Sequence, residues 1–157
     1  MIKANDPNRK SWVEIASDSD FSIQNIPFGI FKTETIPPKA ATAIGAYIVD
    51  LDQLQRTGLL DELVLPHGIF DRPVLNDFIA LGKEKTRAVR NRLAELFDVE
   101  NGLLRDNELL KAASFHLMED VEMQLPVQVP NYTDFYSSEQ HAFNVGTMFR
   151  GPENALM

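Results

Sequence analysis

Four side chains near one end of the sequence are of the types that carry acid–base chemistry and anion recognition in proteins: Asp134, Tyr136, His141 and Arg150. Each type also has an ordinary structural role. A carboxylate just before a helix commonly interacts with the helix start, and a lone histidine is more often a surface or core residue than a catalytic one. Taken singly, none of the four predicts a reaction.

A strand followed by a helix would position these side chains. If the chain is extended through Tyr136, the two-residue period of a strand places Asp134 and Tyr136 on the same face. Ser137 and Gln140 have the spacing of a capping box, which predicts a helix that carries His141 in its first turns. The sequence therefore predicts a corner between strand and helix, at which the polar side chains gather.

The first part of the chain has the pattern of short strands separated by glycine and proline. Residues 28–32 form an aromatic and β-branched run, and residues 43–49 have the pattern of a tight hairpin about Gly45. Short strands with such corners are typical of a small barrel. We expect a mainly β fold of the α+β class.

Helices are predicted after this region. Asp50 has the position of a helix cap, and apolar residues at helical spacing predict the clearest helix of the chain over residues 83–97. The basic residues of that helix, Arg87, Arg90 and Arg92, are expected to face mostly outward. We expect these helices to pack beside the predicted barrel.

We place a domain boundary near residue 126. From Met118 the sequence alternates again between apolar and polar residues, but Pro126 and Pro130 interrupt the pattern, as in an edge strand or a linker. We expect one domain at residues 1–125 and the beginning of a second, incomplete domain at residues 126–157.

Composition excludes several classes of function. The 157 residues are 44% hydrophobic, and 23 acidic against 15 basic residues give a net charge of −8, which disfavours nucleic acid and anionic membranes. The absence of cysteine excludes disulfides, thiolate nucleophiles and thiolate zinc sites. No apolar stretch is long enough for a membrane span. We expect a soluble, cytoplasmic protein.

Several long motifs resemble one enzyme family. The stretch NYTDFYSSEQHAFNVGTMFRGPENALM at 131–157 is similar to the signature of the fumarylacetoacetase family almost residue for residue. The stretches DFSIQNIPFGIF at 20–31 and RPVLNDFIALG at 72–82 match the same family in order. The departures are small: Asn131 stands where some members carry an acid, and residues 117–130 match weakly.

This resemblance implies a metal-dependent hydrolase that cleaves fumarylacetoacetate to fumarate and acetoacetate, in the degradation of tyrosine and phenylalanine. By the same resemblance, Asp134 ligates Ca²⁺ or Mg²⁺, His141 is the general base that activates water, and Tyr136 and Arg150 contact the substrate. The implied fold is an SH3-like small barrel with packed helices, followed by the first strand and helix of the catalytic domain. The family works as a homodimer.

The remaining metal ligands and the acid that orients the histidine belong, in this family, to a larger carboxy-terminal domain that these 157 residues do not contain. We therefore expect the chain alone to be inactive and to bind the cation weakly or not at all. Two alternatives remain open: a non-catalytic module that docks a partner protein, and a regulator that binds a small molecule with inherited site residues.

Overall fold

An antiparallel sheet of five short strands forms the centre of the computed structural model, which describes residues 3–156. The strands are β1 (Phe28–Lys32), β2 (Lys39–Ile44), β3 (Tyr47–Asp50), β4 (Phe115–Leu117) and β5 (Glu122–Gln124). Their order across the sheet is β4-β3-β2-β1-β5, and the sheet curls into a half-barrel. The predicted α+β class is confirmed, and the predicted small barrel is present as a curled antiparallel half-barrel.

Helices pack beside the sheet and continue after it. They are α1 (Leu51–Arg56), α2 (Asn76–Ala80), α3 (Gly82–Leu96), α4 (Gly102–Arg105), α5 (Glu108–Ser114) and α6 (Glu139–Arg150). Short 3₁₀ turns lie at Lys3–Asn5, Asp61–Leu63, Met118–Asp120 and Pro152–Asn154. Among residues 3–156, no helix is both long and apolar enough to cross a membrane.

The two faces of the sheet are covered differently. One face packs its alternate residues, including Ile30, Ile44 and Val49, into the main core together with α1 and α3. The other face presents a smaller cluster, which includes Phe31 and Ile48. The strand period of two residues produces this division, because neighbouring residues point to opposite sides.

Two local predictions in the β2–β3 region are confirmed. The hairpin turns at Gly45, whose φ of 56° is left-handed and whose missing side chain leaves room for the carbonyl oxygen of Glu14. Asp50 caps α1, because its side chain accepts hydrogen bonds from the backbone N–H groups of Asp52 and Gln53 at 2.9 and 3.1 Å. Sequence therefore predicts the local geometry here correctly.

The long helix α3 is confirmed within one residue at each end, but its basic side differs from the prediction. Arg90 donates a hydrogen bond to the carbonyl of Gln24 at 2.6 Å, and Arg92 donates to the carbonyl of Leu59 at 2.9 Å. Of the three, only Arg87 is exposed, whereas Arg90 and Arg92 are half-buried. Arg90 and Arg92 point inward because loops packed beside α3 present backbone carbonyls that need donors.

The strand predicted through Tyr136 is not formed. Residues 125–138 contain neither helix nor strand, and within residues 3–156 no other strand pairs with them. A strand needs a neighbouring backbone to accept and donate its ladder hydrogen bonds, so sequence alternation alone does not produce one. The helix predicted after it is present as α6, but its cap is Ser138 rather than Ser137.

Candidate functional site

Tyr136 and His141 are brought together at the start of α6. The Ser138 hydroxyl accepts a hydrogen bond from the backbone N–H of His141 at 3.3 Å, so the helix begins at Glu139 and His141 lies in its first turn. The Tyr136 and His141 rings meet edge to face, with centroids 5.0 Å apart and planes at 79°. Both side chains are exposed, so water and small molecules reach the pair.

Asp134 lies two residues before this pair, in the segment without regular structure. Its carboxylate is exposed and has no hydrogen bond or ion pair with any other side chain in the described part of the chain. Its charge is therefore available to a ligand, but the structure does not tie it to His141.

The described residues do not form a complete cation site. Over residues 3–156 there is no group of three or more histidine or acidic side chains placed to hold a metal ion. The carboxylate of Asp134 is the type of ligand that Ca²⁺ and Mg²⁺ prefer, but Ca²⁺ takes six to eight oxygens and Mg²⁺ about six. The described residues therefore offer the type of ligand that such a cation needs, but too few of them to hold it.

Arg150 lies at the other end of α6 and is not brought to the pair. Its Nε donates to the carbonyl of Asn154 at 3.1 Å, and its Nη2 donates to the carbonyl of Ala155 at 2.8 Å. Ala155 packs directly against Gly146, where any side chain would collide with the Ala155 backbone. Arg150 therefore closes the turn that follows α6.

Large apolar side chains around these residues are exposed. Tyr132, Phe135, Met148 and Phe149 are each more than 70% exposed, and Leu125 is 85% exposed. Isolated apolar residues are common on protein surfaces, but a run of them on one segment is typical of a surface that another element covers. The segment that carries the candidate site is thus the least packed part of the described chain.

Three hydrogen bonds that were not predicted from the sequence fix the start of this segment to the start of α2. The side-chain amide of Asn76 donates to the carbonyl of Gln128 at 2.8 Å, and the amide oxygen accepts from the backbone N–H of Gln128 at 2.9 Å. The N–H of Leu75 donates to the carbonyl of Pro126 at 2.7 Å. No sequence signal joins two positions 52 residues apart, although an asparagine beside a helix start is a common source of such bonds.

A buried cluster of charges beside β2 was not predicted from the sequence. Lys39 is 8% exposed, and its ammonium lies 2.8 Å from a carboxylate oxygen of Asp50 and 3.4 Å from one of Asp52. Arg56 contacts Asp52 at 2.7 Å and Asp71 at 3.1 Å. The pKa of Lys39 is raised, because burial, which lowers it, is outweighed by the hydrogen bonds and negative charges of Asp50 and Asp52.

Comparison with known proteins matches this chain over most of its length. The family described as "Fumarylacetoacetase N-terminal" matches residues 24–126. Fumarylacetoacetase of Arabidopsis thaliana is 44% identical over 149 residues, and that of Homo sapiens is 41% identical over 148 residues; each alignment covers 94% of this chain. The alignments cover only 35% of those relatives, so the chain spans about a third of their length. The chain belongs to the fumarylacetoacetase family.

Proposed function

We propose that this chain supplies the amino-terminal domain, residues 1–125, and the first part of the catalytic domain, residues 126–157, of a carbon–carbon bond hydrolase. The relatives named fumarylacetoacetase support fumarylacetoacetate as the substrate, with fumarate and acetoacetate as products. The observation that carries the proposal is the exposed pair of Tyr136 and His141, held at the start of α6 by the Ser138 cap.

His141 acts as the general base. Its neutral imidazole accepts a proton from a water molecule as the water oxygen attacks the ketone carbon next to the bond that breaks. When that carbon–carbon bond breaks, its electron pair passes to the departing carbon, which becomes an enolate and is then protonated to give acetoacetate. The cap supports this role, because it fixes the backbone of His141 in the first helical turn and so sets the direction in which its side chain leaves the helix.

Tyr136 positions both the base and the substrate. Its edge-to-face contact limits the rotation of the His141 ring, and its phenol can hydrogen-bond a substrate oxygen. We also propose that Arg150 binds a carboxylate of the substrate. In that role its guanidinium exchanges its bonds to the carbonyls of Asn154 and Ala155 for the charged ligand.

Asp134 contributes one ligand to a divalent cation, Ca²⁺ or Mg²⁺, and the other ligands lie outside residues 1–157. When bound, such a cation polarises the ketone oxygens and stabilises negative charge on them. The exposure of Asp134 supports this assignment, since no side chain of the described residues neutralises its charge.

A chimera tests the catalytic assignment. Residues 1–157 are joined to the part of the Arabidopsis relative that follows its matched segment, and hydrolysis is followed by loss of the diketone's ultraviolet absorbance. We expect turnover in the chimera and a loss of about 10²- to 10⁴-fold with His141→Gln. His67→Gln is the matched control, because His67 is an exposed histidine far from α6 in the sequence. Equal activity of the two variants would refute the role of His141.

A second exchange keeps the test decisive if that chimera does not fold. Residues 126–157 of this chain replace the matching segment of the Arabidopsis relative, and the same two measurements are made on wild type and His141→Gln. The 157-residue chain alone is expected to show neither turnover nor calcium binding in the micromolar range. Turnover or micromolar calcium binding by the isolated chain would contradict the proposal that the other ligands lie outside residues 1–157.

A further inference from the structure

A cavity of about 590 Å³ lies between the start of β1, α2 and the first two turns of α3. Its floor is apolar and consists of Phe28, Leu75 and Phe78. Leu75 and Phe78 are 5% and 2% exposed, and the rings of Phe28 and Phe78 meet edge to face at 5.0 Å. The floor is therefore a fixed part of the main core, and the cavity is built by well-packed elements rather than by a loose loop.

The rim of this cavity is basic. Lys83, Arg87 and Arg90 line it, and their spacing of four and then three residues places them on one face of α3. The residues that line the cavity include no aspartate or glutamate. None of the three cations forms a salt bridge with any residue in the range 3–156.

Arg90 is only partly satisfied in its hydrogen bonds. Its Nη2 donates to the carbonyl of Gln24, but its Nε is buried and has no hydrogen-bond acceptor among the described residues. A carboxylate is the acceptor that a guanidinium binds best, and in the cavity it would meet the outer N–H groups of Arg90 rather than the buried Nε. Three unpaired cations around one cavity are also unusual in a chain whose net charge is −8.

We propose that this cationic pocket, defined by Phe28, Leu75, Phe78, Lys83, Arg87 and Arg90, binds a small organic carboxylate with an apolar body. The floor buries a ring or hydrocarbon chain, and the rim holds the single anionic head. A neutral molecule would leave the three cations without a negatively charged partner. A polyanion would gain no binding energy from the apolar floor, because it has no apolar group to bury there. None of the proposed catalytic residues lines the pocket, so this site is separate from the proposed function.

A binding comparison between an acid and its uncharged amide tests the ligand class. The 157-residue chain, labelled with ¹⁵N, is titrated with 4-phenylbutyrate and separately with 4-phenylbutyramide, and amide chemical shifts are recorded. We expect saturable shifts for 4-phenylbutyrate at Ile79, Gly82 and Thr86, which line or border the pocket. The amide should bind at least about tenfold more weakly, because it lacks the charge that the rim recognises.

Two variants distinguish binding in the pocket from nonspecific attraction of the acid to basic residues on the surface. Arg87→Gln and Lys83→Gln change exposed side chains, so the fold is retained, and each should weaken 4-phenylbutyrate binding by about threefold to tenfold. Lys10→Gln removes an exposed charge that does not line the pocket, and it should leave the affinity unchanged. Equal binding of acid and amide, equal effects of all three variants, or shifts centred elsewhere on the chain would each overturn the proposal.

Discussion

Replacing Lys39 with methionine tests the buried charge cluster beside β2. The change keeps most of the side-chain volume and removes the ammonium that lies 2.8 Å from Asp50 and 3.4 Å from Asp52. Arg56 still pairs with Asp52 at 2.7 Å, so the carboxylate that loses its cation is that of Asp50. Asp50 is 1% exposed, and water cannot replace the lost partner.

The expected loss of stability follows from that unpaired charge. Removing one partner of a buried ion pair costs about 3 to 5 kcal/mol of unfolding free energy. For a chain of this size the midpoint of thermal unfolding should fall by roughly 6 to 20 °C. Asp50→Asn removes the charge but still offers a side-chain oxygen that can cap α1. The double variant should therefore lose less unfolding free energy than the sum of the two single losses, by about 1.5 kcal/mol or more.

Urea unfolding of the wild type, the two single variants and the double variant measures this coupling. Lys32→Met is the matched control, because Lys32 pairs with Glu122 at 3.0 Å on an exposed surface and its removal should change stability little. The reasoning is refuted if Lys39→Met is as mild as Lys32→Met, or if the effects of Lys39→Met and Asp50→Asn are additive.

The same cluster has a predictable pH dependence. The pKa of Lys39 is raised above its ordinary value of 10.5, since Asp50 and Asp52 together outweigh the effect of burial. A lysine with a raised pKa in the folded state contributes stability that is fully present below the unfolded pKa and is lost as the pH rises through the folded pKa. The stability difference between wild type and Lys39→Met should therefore be flat from neutral pH to about pH 10 and should narrow above it.

Substitutions at three further positions test other contacts. Burial chiefly lowers the pKa of His116, so wild-type stability in urea should fall as the pH drops below 6.5, and His116→Phe should remove that slope. Gly146→Ala places a methyl group against the Ala155 backbone, so the turn after α6 should open, as measured by faster exchange of the Asn154 amide. Asn76→Ala should raise the exchange rate of the Gln128 amide about tenfold, whereas Asn76→Asp, which keeps an acceptor, should raise it less.

The features that sequence predicted correctly are those that neighbouring residues determine. Gly45 and Asp50 act within four residues of themselves, and α3 follows from a repeat within its own length. The cap of α6 shows the limit of such reasoning. Two adjacent serines offer the same hydroxyl, and the position of the helix decides that Ser138 rather than Ser137 is the cap.

The features that sequence did not predict depend on distant parts of the chain. β5 pairs with β1 across about 90 residues, and no local pattern states which strand will be its neighbour. The inward direction of Arg90 and the hydrogen bond from Asn76 to Gln128 likewise depend on backbone carbonyls supplied by other elements. A donor's type can be read from the sequence, but its acceptor exists only after the loops have packed.

The geometry of α6 bears directly on the proposed site. Nine residues separate His141 from Arg150, which corresponds to about 13 Å along the helix axis and to a half-turn around it, so the two side chains leave opposite faces. In the present conformation the Arg150 guanidinium bonds the carbonyls of Asn154 and Ala155 rather than pointing to His141. For Arg150 to bind the substrate as proposed, its guanidinium must release these two carbonyls, so Arg150→Lys should lower turnover in the chimera. Unchanged turnover together with a less stable turn after α6 would refute that role and leave Arg150 as a residue that closes the turn.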